Sequence, residues 1–290
     1  MNIYLNYNQE ELDRQYDQRS LVPDPSPYFA IMAEATQQAK IDFTCRRDIA
    51  YGDDSDELLD LYLPDEVGAK EVLPPLLVFC HGGAWRAFSK DDSGYLAKVF
   101  VPQGVAVAAL NFSLAPKATL DVIVGQVRRA VLLLYENANE LKVNPDQVYV
   151  CGHSSGAHLA ANIAVTDWLA LGAPHDLIKG LSVSSGPYDL EPVRLSARND
   201  YLFLDEGTAL ALSPQKHLRP GLAPAIIAWG GLELDEFQRQ SVALAEAWES
   251  QGMAVQRLFF QDKNHFEMGC EYMDLKSPLF KAILAQIRDA

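Results

Sequence analysis

Residues 148–164 constrain the fold more than any other stretch of the chain. A short apolar run, Val148 to Cys151, leads into Gly152-His153-Ser154-Ser155-Gly156, and Ala157, Leu159, Ala160, Ala161, Ile163 and Ala164 follow at helical spacing. A strand that passes through Gly-x-Ser-x-Gly into a helix makes a sharp turn that exposes the serine hydroxyl above a sheet. Glycines suit positions 152 and 156 if the backbone there passes too close to its neighbours for a Cβ. The same string also occurs as an ordinary glycine-rich turn, so its meaning depends on what surrounds it.

The surroundings alternate strand and helix. Pro74 and Pro75 introduce Leu76 to Cys80, a continuous apolar run of the kind buried on both faces of a parallel sheet. Val105–Phe112, Leu181–Ser185, Ala225–Trp229 and Ala254–Phe260 read as further strands, with helices over Leu120–Asn137, Glu236–Gln251 and Pro278–Ile287. Asp42 to Ile49 and the alternation of Leu59, Leu61 and Leu63 predict an antiparallel hairpin edge around Tyr51 to Asp56. The whole is the pattern of a doubly wound, mostly parallel α/β sheet with helices on both faces. At 290 residues, 49% of them hydrophobic, one domain spanning 1–290 accounts for the length, and no linker-like stretch divides it. Residues 1–40 are expected as peripheral helices, the second capped by Ser26 before Pro27. Residues 187–220 carry no clean period and are expected to form a small cap over the site.

A formal charge of -15, with no basic cluster to offset it, argues against nucleic-acid and anionic-membrane partners. No run approaches the length of a membrane span, and the polar N-terminus lacks the apolar centre of a signal peptide, so a cytoplasmic protein is expected. Cys45, Cys80, Cys151 and Cys270 are scattered, which suits neither a disulfide framework nor zinc; no metal and no cofactor are expected. The oligomeric state stays open, a homodimer included.

A serine hydroxyl near neutral pH needs an adjacent base, and the base needs a carboxylate to fix its tautomer. His265 follows the last strand, in Asp262-Lys263-Asn264-His265-Phe266, where such a base belongs. His81 and His153 lie in glycine-rich turns, His158 on the helix after the serine, and His175 and His217 upstream of any late acid. The loop after Trp229 offers Glu233, Asp235 and Glu236. Asp235 and Glu236 open the next helix, where negative charge suits the exposed amides, so Glu233 is the favoured acid and Asp235 its rival. His81-Gly82-Gly83, about 70 residues before the serine, can supply the amides of Gly82 and Gly83 to an oxyanion together with that of Ser155. Trp85, Tyr188, Tyr201 and Phe203 are candidate substrate-binding walls.

With these residues in view, the chain looks like the α/β-hydrolase superfamily and resembles the kynurenine formamidase (arylformamidase) group and its bacterial esterase-like relatives. The resemblance rests on His81-Gly82-Gly83-Ala84-Trp85, Gly152-His153-Ser154-Ser155-Gly156-Ala157-His158-Leu159, Glu236-Phe237-Gln238-Arg239-Gln240-Ser241 and Asn264-His265-Phe266. It extends from Tyr7-Asn8-Gln9 to the closing helix. It implies Ser154 as nucleophile, His265 as base and Glu233 at the acid position, where the group often carries aspartate. It further implies hydrolysis of a formyl or other small acyl group from an aromatic amide or ester, through an acyl-enzyme. Two other readings remain: a carboxylesterase without formamidase activity, and a non-catalytic small-molecule binding protein on the same fold. Against the latter stands the presence of all three triad residues.

Overall fold

A computed structural model describes residues 1–65 and 72–289. Eight strands form one sheet: β1 (Thr44–Ala50), β2 (Leu58–Leu63), β3 (Leu76–Cys80), β4 (Ala106–Leu110), β5 (Val148–His153), β6 (Ile178–Ser184), β7 (Ala225–Gly230) and β8 (Val255–Phe260), in the order β1-β2-β4-β3-β5-β6-β7-β8. β1 and β2 form the antiparallel edge, and every pair from β4 to β8 runs parallel. This is the α/β-hydrolase fold.

The continuous apolar runs have a direct physical reason. Side chains alternate across a strand, so Leu76, Val78 and Cys80 of β3 enter one core while Leu77 and Phe79 enter the other. Ile123, Val124, Val127 and Val131 of the helix Leu120–Glu136 close the first core, with Leu159 and Ile163 after the serine and Leu244 and Trp248 of the helix Asp235–Ser250. Leu279, Phe280 and Ile283 of the helix Pro278–Arg288 close the second, beside Leu96 and Phe100. Burial on both faces removes enough apolar area from water to make the sheet the rigid base of the molecule. Among the described residues, no helix is long and apolar enough to cross a membrane.

Two segments stand outside this sandwich. The N-terminal strap comprises the helix Gln9–Gln15, the turn Gln18–Ser20 and the helix Ser26–Asp42. Ser26 is the first residue of that last helix rather than its cap; Pro25 holds the cap position and the Asp24 carboxylate accepts from the Ser26 amide. The insertion after β6 folds into three short helices, Glu191–Leu195, Asn199–Leu202 and Glu206–Ala211. The strap is not peripheral to the cavity described below. Tyr16, Gln18, Phe29 and Met32 help to wall it, because Gln15 and Tyr16 bond to Glu236 and Gln240 at the start of the helix after β7.

Candidate active site

Ser154 sits between β5 and the helix Ser155–Ala164 with φ 57° and ψ -127°, a strained conformation for a residue with a Cβ. The strain is held by backbone on both sides. The Ser154 amide donates to the Ser184 carbonyl of β6 at 2.9 Å, and a Cβ on Gly156 would collide with the carbonyl oxygens of Cys80 and His81. A Cβ on Gly152 would strike Gly156 in the same way. Both glycines are therefore required by close approach across the β3 and β5 ends.

The Ser154 hydroxyl lies 2.9 Å from His265 Nε2, and His265 Nδ1 lies 2.6 Å from Glu233 Oε1. With Nδ1–H donating to the carboxylate, Nε2 is left as the acceptor facing the hydroxyl. The second carboxylate oxygen, Oε2, accepts from the Ser185 hydroxyl at 2.8 Å and the Gly230 amide at 2.7 Å. Each Glu233 oxygen thus has a donor, as a buried carboxylate requires. Asp235 is exposed in the first turn of its helix and makes no bond to His265.

His265 opens the helix His265–Cys270, and its neighbour Asn264 is the cap, accepting from the amides of Phe266 and Glu267. The imidazole is packed edge-on by Phe237, at 4.9 Å between ring centres, and by Phe266 at 5.6 Å. Two further histidines are neutral. Burial pushes His81 down to about 4, and burial, with His265 adding to it, holds His153 well below the usual imidazole range. His81 donates from Nδ1 to the Gly82 carbonyl at 2.8 Å and stacks on Phe112; His153 bonds through Nδ1 to the Ser184 hydroxyl at 2.9 Å.

Gly82 is pressed against the serine turn: a Cβ there would stand 3.0 Å from the His153 carbonyl oxygen and 3.3 Å from Ser154 Cβ. Gly83 has φ +103°, the left-handed region that favours glycine, and a Cβ would meet the Ala87 carbonyl. Among the described residues, no acceptor takes the amides of Gly82, Gly83 or Ser155. The glycine loop is tied to the serine turn by the Trp85 amide, which donates to the Ser155 hydroxyl at 3.2 Å.

Above the serine lies a cavity of about 850 Å³, lined by the glycine loop, His153, Ser154, His265, the strap and Ala197, Arg198, Asp200 and Tyr201 of the insertion. Phe29, Phe88 and Phe266 form its aromatic wall, with ring centres 4.8 and 5.6 Å from Phe29. Of the four expected walls, Tyr201 lines the cavity, where it carries the Arg86 guanidinium 4.7 Å above its ring. The other three do not. Trp85 is buried beneath the glycine loop, its indole N–H donating to His158 Nδ1 at 3.3 Å. Tyr188 is buried, its hydroxyl accepting from the Gly186 amide. Phe203 is exposed outside, in a left-handed turn that ends the helix Asn199–Leu202. Sequence reasoning missed Ser185, Gln18, Arg86, Arg198 and the aromatic wall. Apart from Phe266, beside His265, none adjoins a triad residue in the chain, so no spacing marks them.

Comparison with known proteins identifies the family. The BD-FAE family model matches residues 59–171. A kynurenine formamidase of Danio rerio is 32% identical, with 99% of each chain aligned. A solved structure from Silicibacter sp. TM1040 is 27% identical at a TM-score of 0.79, covering 96% of this chain and 99% of that one. An esterase of the archaeon Pyrobaculum calidifontis has a TM-score of 0.73 at 17% identity, covering 97% and 96%, which is a likeness of fold. The chain belongs to the kynurenine formamidase family of α/β-hydrolases, and it is a hydrolase of the arylformamidase and esterase type.

Proposed function

We propose that the protein removes a formyl or similarly small acyl group from an aromatic amide or ester, with Ser154 as nucleophile, His265 as general base and Glu233 as the orienting acid. The observation that carries this reading is the continuous hydrogen-bonded relay from Glu233 through His265 to Ser154 at the floor of the cavity. As the Ser154 oxygen bonds to the acyl carbon, its proton passes to His265 Nε2, and Glu233 stabilises the imidazolium. The carbonyl oxygen gains the negative charge and faces the amides of Gly82, Gly83 and Ser155. Collapse breaks the bond to the amine or alcohol, which leaves with the proton from Nε2. Water activated by His265 then releases the small acid and restores the serine. The aromatic wall supports an aryl leaving group, which Phe29 and Phe266 can meet by edge or face.

The test is hydrolysis of N-formyl-L-kynurenine beside p-nitrophenyl acetate, with Ser154→Ala as the blank. Turnover of the formyl amide at kcat/KM above about 10⁴ M⁻¹s⁻¹, lost by on the order of 10⁴-fold in the variant, is expected. Turnover of the ester alone would replace this reading with that of a carboxylesterase. Ser154-independent turnover of both would overturn it.

A further inference from the structure

β6 ends at Ser184 and Ser185 follows it, two serines with no exposed surface beneath the triad. Their hydrogen bonds run to the catalytic residues or to the neighbours of those residues. The Ser184 carbonyl accepts from the Ser154 amide at 2.9 Å, which hangs the serine turn on β6. The Ser184 hydroxyl bonds to His153 Nδ1 at 2.9 Å, and the His153 ring lies 4.7 Å from that of His265, centre to centre. The Ser185 hydroxyl donates to Glu233 Oε2 at 2.8 Å. Two adjacent residues of one strand end thus hold the turn of the nucleophile and the carboxylate of the acid.

Ser185 is also strained. Its φ is 57°, in the left-handed region that a residue with a Cβ enters at a cost and glycine enters freely. Its amide donates to the Ala228 carbonyl of β7 at 3.0 Å, a backbone bond that needs no side chain. Glycine would make the same turn with less strain, so a serine kept there is explained by a use for its hydroxyl. That use is visible at Glu233. The side chain of a glutamate turns about three bonds, and a carboxylate that must keep one oxygen on an imidazole has to be held by the other. Among the described residues, Oε2 has two donors, the Ser185 hydroxyl and the Gly230 amide. Gly230 stands three residues before Glu233 at the end of β7, so its amide restrains the carboxylate only within its own loop. The Ser185 hydroxyl comes from the strand that also carries the serine turn.

We propose that Ser185 is a positioning residue for hydrolysis: its hydroxyl fixes the Glu233 carboxylate in the frame that Ser184 gives to the nucleophile, and so keeps Oε1 aimed at His265 Nδ1. The inference rests on the hydrolase reading above and extends it. Without the hydroxyl, Oε2 keeps the Gly230 amide alone and the carboxylate can turn away from the imidazole. The imidazolium that forms as Ser154 gives up its proton then loses part of its stabilisation, whereas binding of the substrate is untouched. The loss therefore falls on kcat and leaves KM in place.

The test compares Ser185→Gly, which suits the left-handed turn, with Ser185→Ala, which keeps the Cβ and its strain. p-Nitrophenyl acetate turnover is measured per site counted with an organophosphonate serine probe, so that only intact protein contributes, with Ser154→Ala as the blank. Both variants are expected to lose about 10- to 30-fold in kcat with KM within about twofold of the parent. In a Glu233→Gln background, assayed at high enzyme concentration, Ser185→Gly should cost less than about twofold more, because the serine acts through the carboxylate that is already gone. Full kcat in Ser185→Gly would overturn the proposal, even if Ser185→Ala were impaired, since the turn and not the hydroxyl would then matter. So would a Ser185→Gly loss that persists undiminished beside Glu233→Gln, the result expected of a residue that only supports the fold. Parent turnover that survives Ser154→Ala would overturn the hydrolase reading and this role with it, whereas Ser154-dependent turnover beside an unimpaired Ser185→Gly would overturn the positioning role alone.

Discussion

On the sheet side of the cavity, both Glu233 oxygens and both His265 nitrogens have hydrogen-bond partners, and the serine turn is fixed by backbone contact from β3 and β6. On the cap side, Gln18 and Arg198 keep donors with nothing to receive them. The first surface is finished before a substrate arrives, as preorganised catalysis requires. The second keeps unmet donors on residues that line the cavity. The two sides are built by different parts of the chain, the strand ends on one and the strap and insertion on the other.

The largest effect expected from breaking the sheet side is in Glu233→Gln. Loss of the carboxylate leaves His265 without its orienting acceptor and should lower kcat by about 10³- to 10⁴-fold. Asp235→Asn, two residues on at the start of the helix and exposed, should remain within about twofold of the parent; equal losses in the two variants would contradict the geometry. Gly156→Ala forces a Cβ into the carbonyls of Cys80 and His81, and should cost about 3 kcal/mol of stability by urea unfolding.

Acid should lower the stability of the folded protein. Burial holds His81 and His158 down to about 4, against an ordinary 6.5. Between those pH values the unfolded chain binds protons that the folded protein refuses, so stability is retained above 6.5 and falls as pH drops toward 4. Each histidine contributes a slope of up to about 1.4 kcal/mol per pH unit. Urea midpoints that stay level from pH 7 to 4.5 would show that these rings are protonated in the folded state. The smallest effect belongs to the cap: Tyr201→Ala removes the ring beneath Arg86 and should raise KM about threefold with kcat unchanged.

The same division governs what the sequence discloses. The sheet was legible because β3, β4, β5 and β7 are short, mostly apolar runs, and Ser154, Glu233 and His265 could be singled out because each follows the carboxyl end of a strand. Choosing between Glu233 and Asp235 needed only the physics of a helix start, which already has a use for Asp235. The walls were not legible. Trp85 adjoins the glycine loop and Tyr188 follows the end of β6, as lining residues would, and nothing local distinguishes a ring that faces a cavity from one that packs below it. The strap reads as peripheral because its partners are far away in the chain: Gln15 bonds to Glu236, and Tyr16 to Gln240.

That distance has a consequence for the order in which the protein is made. Residues 13–33, which wall the cavity, leave the ribosome long before His265 and Phe266, which supply the base and the aromatic face opposite. A nascent chain can build β3 to β5 with the serine turn already exposed and still have no base to activate it. Under the proposed mechanism hydrolysis waits until the late strands that carry Glu233 and His265 have joined the sheet, so the appearance of activity during synthesis is a clock for the completion of the sheet.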